Sequence, residues 1–154
     1  MDAVQTITVI LATIGAVLGL INTIDLLSKK HLRLRVIPAH AFGVGSLKHL
    51  GDMIAIEITN FSEFPVTVCQ VGFRMKSTKD SIVIINPIVS DGKPFPRKLE
   101  KRESVSVYIQ KSDIDPESFC RVTRAYAKTA CGVTKEGTSP ALKQIIAECK
   151  SKHH

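Results

Sequence analysis

The sequence predicts a mainly β protein preceded by a single N-terminal transmembrane helix. Three features carry that reading: an apolar run near the N-terminus, short segments in which apolar and polar residues alternate, and helical spacing confined to the chain's margins. With 154 residues, the chain suits one compact domain plus one appended element. Residues 1–28 are assigned to an anchor and 29–154 to a basic domain, large enough to hold a core without disulfides or a metal.

From Ile7 to Leu27 the chain reads ITVILATIGAVLGLINTIDLL, with no charge before Asp25. At about 1.5 Å of rise per residue this stretch covers roughly the 30 Å hydrocarbon core of a bilayer. Asn22, Thr23 and Asp25 make its C-terminal end polar, which puts Asp25 at the headgroup boundary. A secretory signal peptide is the chief competitor, but such peptides begin with basic residues and MDAVQT contains an acid and no Lys or Arg. Ala39-His40-Ala41 has the small-x-small form of a cleavage site, yet lies far beyond the apolar run. A buried helix of a soluble domain is the weaker competitor, because this run is apolar around its whole circumference.

All 21 Lys and Arg lie at or beyond Lys29, so the domain sets 21 cations against 12 carboxylates, a net +9 with His neutral. Lys29, Lys30, His31, Arg33 and Arg35 directly follow the run, and positive flanks stay on the cytoplasmic side. The predicted topology is single-pass in the inner (plasma) membrane, N-terminus out and C-terminal domain cytoplasmic. Lys29, Lys30, Arg33 and Arg35 then face anionic lipids of the inner leaflet, each contributing on the order of 1 kcal/mol. Nucleic acid is the disfavoured partner for this charge: there is no Trp and few other aromatics to stack on bases. Within the run, Gly15 and Gly19 form GxxxG, and Ala12 and Ala16 extend the small-residue face. These four are the candidate helix-pairing residues, with Thr13 and Asn22 as added hydrogen-bonding groups.

Leu32 to Ile37 alternates as a half-buried strand that Pro38 is expected to end, and a loop with Gly43, Gly45 and Gly51 follows. Gly43-Val44-Gly45 lacks the third glycine of a dinucleotide fingerprint. Asp52 to Thr59 places Ile54, Ile56 and Ile58 on one face, and Asn60-Phe61-Ser62 supplies a turn into a β-rich run from Phe64 to Met75. These two segments are expected to pair antiparallel. In the second, the apolar set changes between Val66, Val68 and Val71, Phe73, Met75, a one-residue slip that a β-bulge would absorb, with Gly72 as a partner in the irregularity.

Ile82 to Ile85 is expected to form a short buried strand, Asp91-Gly92 a reversal, and the stretch with Pro94 and Pro96 an edge or loop. Ser104 to Ile109 turns Val105, Val107 and Ile109 inward, and Asp115-Pro116-Glu117 starts one short helical turn. Val122 to Thr129 is the last strong strand, Gly132 a turn, and Val133 to Lys135 a weak second arm. Ser139 caps a helix, 139–150, with Pro140 at its first position and Leu142, Ile145, Ile146 and Cys149 on one face. About seven short strands between such margins give an antiparallel immunoglobulin-like β-sandwich with an amphipathic C-terminal helix. There is no Cys-Trp-Cys pattern of the antibody type.

The runs IAIEITNFSEFPVTVCQVGF and RAYAKTACGVTKEGTSPALKQI resemble those of small bacterial and phage proteins of uncharacterised role, in which an N-terminal membrane helix precedes a β-sandwich. The resemblance covers most of the domain and implies fold and anchoring only; it brings no catalytic residues.

The residues give no chemistry of their own. Cys69, Cys120, Cys131 and Cys149 form no CxxC and have no His at zinc-ligand spacing. In a cytoplasmic domain they are expected to be reduced and buried as small hydrophobes. Reversed topology would instead suggest a Cys69 to Cys131 bridge and make Asn60-Phe61-Ser62 a glycosylation sequon. His31, His40 and His49 are scattered, His153 and His154 end the chain, and Asp113, Asp115 and Glu117 fit a capped turn. No nucleophile-and-base constellation, cofactor motif or metal site is present, which argues against an enzyme. Two classes of role remain. One is a membrane-tethered module that binds a protein through a sheet edge or loops. The other is a small toxin-, holin- or exclusion-type membrane effector acting through helix oligomerisation.

Overall fold

The computed structural model describes residues 2–29, 31–42, 51–76 and 80–152. It divides into two units, Met1–Leu32 and Arg33–His154. The first is one helix, α1 (Ala3–Lys29), longer at both ends than the predicted run. The hydroxyls of Thr8, Thr13 and Thr23 donate to the carbonyls of Val4, Val9 and Gly19, each at 2.8 Å. Their polarity is thus satisfied within the helix, as a hydrocarbon medium requires. Thr13 has no hydroxyl proton left to offer a second helix.

Among the described residues the second unit holds nine strands. They are β1 (Leu34–Phe42), β2 (Asp52–Asn60), β3 (Val66–Met75), β4 (Ser81–Val83), β5 (Ile88–Val89), β6 (Arg97–Leu99), β7 (Ser104–Gln110), β8 (Val122–Thr129) and β9 (Thr134–Gly137). It also holds a 3-10 turn at Lys111–Asp113 and two α-helices, α2 (Pro116–Cys120) and α3 (Pro140–Lys152). One antiparallel sheet runs β1-β2-β7-β5; the other runs β4-β3-β8-β9, with β6 also on β3.

Alternation explains the strands whose inner face is buried. Ile54, Ile56 and Ile58 of β2 are fully buried, as is Val107 of β7 between the almost buried Val105 and Ile109. Burying each such side chain contributes about 2 kcal/mol relative to leaving it in water. They join one cluster with Val68, Val71 and Phe73 of β3, Ala125 and Ala127 of β8, and Leu142, Ile145 and Ile146 of α3. Phe119 of α2 meets Phe73 edge to face at 5.7 Å between ring centroids, which seats that helical turn on the core. Asp115 caps α2 by accepting from the Ser118 N–H, and Ser139 caps α3 by accepting from the Leu142 N–H.

The structure corrects three expected elements. β1 continues through Pro38, which pairs in register with Ile56; β1 is an edge strand, where a missing N–H is tolerated. β2 and β3 are not partners but lie in different sheets. Of Ile82 to Ile85 only Ile82 and Val83 lie in strand, within β4, and Ile85 stands 85% exposed. The bulge expected in β3 falls between Val68 and Gln70, with Cys69 as the extra residue. Gly72 serves instead as a close-approach site, where an added Cβ would meet the Ile82 carbonyl of β4 first and the Tyr126 ring next. Of the loop expected with Gly43, Gly45 and Gly51, the first two glycines lie outside the described residues.

The crossing from β2 to β3 is tied by Asn60, whose side chain is fully buried. Its Nδ2 donates to the carbonyls of Phe64 (2.9 Å), Leu99 (3.1 Å) and Glu100 (3.2 Å), and its Oδ1 accepts from the Ser62 N–H (2.9 Å). Ser62 Oγ in turn accepts from the Arg33 N–H at 2.8 Å, and the Arg33 carbonyl accepts from the Phe61 N–H. The start of β1, the β2–β3 turn and the β6–β7 turn therefore share one buried polar knot. Beside it Arg97 bonds both Asp91 and Glu103. The Arg97 hydrogen bond holds the Asp91 carboxyl below its usual range; for Glu103 the Glu100 N–H is the larger cause and Arg97 the next.

Candidate functional site

Residues Ala3–Ile24 of α1 are long and apolar enough to cross a membrane, and none of that segment is buried. At about 1.5 Å per residue it measures roughly 33 Å. Ala12, Gly15, Ala16 and Gly19 all lie exposed on it, at the i, i+3, i+4, i+7 spacing that gathers them on one side. A Cβ added at Gly15 or Gly19 would meet nothing within 4 Å. The expected basic residues do not all come into view: Arg33 and Arg35 are exposed around half-buried Leu34, and Lys29 ends α1. Lys30 lies outside the described residues, as do His49, His153 and His154.

The cysteines depart from expectation. Cys69 and Cys131 are exposed, the first because it is the extra residue of the bulge and the second because it sits in the turn between β8 and β9. Cys120, at the end of α2, is bonded to Cys149 on α3, with their Cα atoms 5.7 Å apart across 29 positions of sequence. The bond joins the two helices flanking the core. It is neither the reduced, buried state nor the Cys69 to Cys131 bridge. The Thr129 hydroxyl, followed by the Val133 N–H, holds the Cys131 thiol below its ordinary value, which raises its thiolate fraction.

Two alternatives read from sequence meet a physical obstacle here. Ala39, His40 and Ala41 pair with Ala55, Ile54 and Met53 inside β1, so cleavage there would cut through a strand of the sheet. The sequon asparagine is the buried Asn60, whose amide already serves three carbonyls. Among the described residues no group of three or more His, Cys, Asp or Glu is placed to hold a metal ion. The chain matches no family model, no curated protein and no solved structure.

Proposed function

We propose that the chain is a membrane-tethered protein-binding module, with an immunoglobulin-like β-sandwich held at the bilayer by α1. The observation that carries it is an unburied, membrane-length apolar helix joined to a unit with its own buried core. The sandwich reading rests on strand order. Lettered along the chain with β6 as an insertion, the sheets run A-B-E-D and C′-C-F-G, the immunoglobulin arrangement. Binding fits the edge where β4 gives way to β5: Val83, Ile85 and Ile88 stand exposed there beside short, weakly paired strands. Such an edge suits strand addition by a protein partner. The proposed role is recognition, not catalysis.

Chemical crosslinking in cells, purification of the full chain in mild detergent and mass spectrometry test this reading. Ile85→Glu should remove a partner captured by the native chain. Gly15→Ile with Gly19→Ile should abolish crosslinked self-dimer and keep that partner, because bulky residues block close helix approach. A partner set unchanged by Ile85→Glu would end the edge-binding reading, and unchanged dimer would leave both glycines as lipid-facing residues.

We place the domain in the cytoplasm, on the basic flank that includes Arg33 and Arg35. The Cys120–Cys149 bond pulls the other way, since disulfides persist in oxidising compartments. Charge decides orientation at insertion, before the domain folds, so the basic flank outweighs the bond as a guide to the side of the membrane. In intact cells an impermeant maleimide should leave Cys69 and Cys131 unlabelled, while a permeant one labels both, Cys131 faster. Labelling of either by the impermeant reagent would reverse the topology.

A further inference from the structure

The outer face of the sheet β4-β3-β8-β9 carries a charge arrangement that the fold does not require. Arg74 of β3 lies directly opposite Arg124 of β8 in register, and like charges so placed oppose pairing. One carboxylate relieves them: Glu136 of β9 accepts from Arg74 Nε at 3.1 Å and from Arg124 Nη1 at 3.4 Å. Each guanidinium has five N–H donors. Among the described residues no other acceptor is hydrogen-bonded to either side chain.

Arg74 is also held from beneath. Its guanidinium carbon sits 5.3 Å from the centroid of Tyr126, a ring that is 3% exposed and whose hydroxyl accepts from Gln70 Nε2 at 2.9 Å. Tyr126 finds room because its cross-strand neighbour is Gly72. A planar fork fixed in this way loses little freedom on gripping an oxyanion. The exposed Lys76 stands on the rim, its backbone N–H bonded to the Arg121 carbonyl. Arg74, Lys76, Arg124, Thr123, Met75 and Glu136 line a cleft of about 460 Å³. Three cations and one carboxylate leave it net +2, the charge that a phosphate monoester dianion neutralises.

We propose that this cleft binds a phosphate-bearing anion. Arg74 is its fixed fork, Arg124 and Lys76 close on the other oxygens, and Glu136 is the internal counter-ion with which the ligand competes. A free phosphate and a phospholipid headgroup share this chemistry, and the experiment separates them.

The full chain in phosphatidylcholine nanodiscs is titrated with inorganic phosphate. Tyrosine fluorescence is the readout, because the chain has two Tyr and no Trp. In the second arm the nanodiscs are mixed with vesicles of phosphatidylcholine alone or with phosphatidic acid, and co-sedimentation is measured. Arg124→Gln should weaken saturable binding by about threefold to fivefold, and Glu136→Gln should tighten it by about as much, the scale of one exposed charge pair. Opposite responses to the two substitutions in the phosphate arm identify a free ligand, and in the vesicle arm alone a lipid headgroup. Urea midpoints keep unfolding apart from lost binding. No saturable signal in either arm overturns the proposal, as does a signal that the two substitutions leave unchanged or move the same way. The cluster is then a structural ion triad only.

Discussion

Asn60→Ala should lower the stability of the β domain by about 3 to 4 kcal/mol, one of the largest losses available to a single polar substitution. The fully buried amide serves three carbonyls and one N–H, with the bonds to the Leu99 carbonyl and from the Ser62 N–H buried at both ends. Removing it takes the side-chain donor from the carbonyls of Phe64 and Leu99, while Glu100 keeps the Glu103 N–H, and a buried polar group left unpaired costs about 1 to 3 kcal/mol. A water entering the vacated space would recover part of that. Asn60→Asp preserves shape and the bond from Ser62, but turns a second oxygen toward those three carbonyls. Its acid is driven toward the neutral form by burial and by carbonyl oxygens, so its folded pKa rises above the unfolded value. Stability of that variant should therefore fall as pH rises from about 4 toward neutrality, since the unfolded chain releases the proton first. Urea unfolding of the full chain in detergent, followed by far-UV circular dichroism, measures both. Phe61→Ala, at a half-exposed neighbour, is the control; an Asn60→Ala loss no larger than the control's would refute the knot.

The same residue shows what could and could not be read from the sequence. β2 and β7 were legible because a sheet with one buried face writes period two into the chain, as Ile54, Ile56, Ile58 and Val105, Val107, Ile109 do. Partners were not. Asn60-Phe61-Ser62 between two β segments reads as a hairpin turn, whereas the chain there crosses to the other sheet. Which of the two occurs depends on where the amide's hydrogen bonds go, and those partners lie 39 and 40 positions away at Leu99 and Glu100. Pro38 reads as a terminator until β1 is known to be an edge. Cys69 sits in a strand pattern that suggests burial, but the bulge turns it out. The Cys120–Cys149 bond and the facing of Arg74 and Arg124 are likewise contacts between distant segments, which local periodicity does not encode. The anchor was legible because a bilayer imposes length and apolarity on contiguous residues.

Gly137→Ala should be as disruptive as the loss of Asn60, at about 2 to 4 kcal/mol, for a steric reason. Gly137 ends β9, paired with Ala125, and a Cβ built on it would collide with the backbone carbonyl of Val36 in β1. β1 and β9 belong to different sheets, so Gly137 marks a place where the edges of the two sheets meet. The obstacle is backbone, which cannot rotate aside as a side-chain tip would. β1 must move as a strand, and it carries the buried residues Val36 and Pro38. Two residues after Gly137, the Ser139 hydroxyl donates to the Pro38 carbonyl while accepting from the Leu142 N–H. Displacing β1 therefore also loosens the cap of α3, whose Leu142 is fully buried. Gly51→Ala separates this steric effect from backbone strain. Gly51 has φ +64° but nothing within 4 Å of an added Cβ, so its substitution should cost only about 1 kcal/mol. Urea midpoints rank the two variants. Amide exchange should show the Gly137→Ala loss as weakened protection along β1 and the first turn of α3, with β7 protected in proportion to global stability. Equal, small losses at both glycines would mean that the sheet edges have room to spare and that Gly137 is not what sets their spacing.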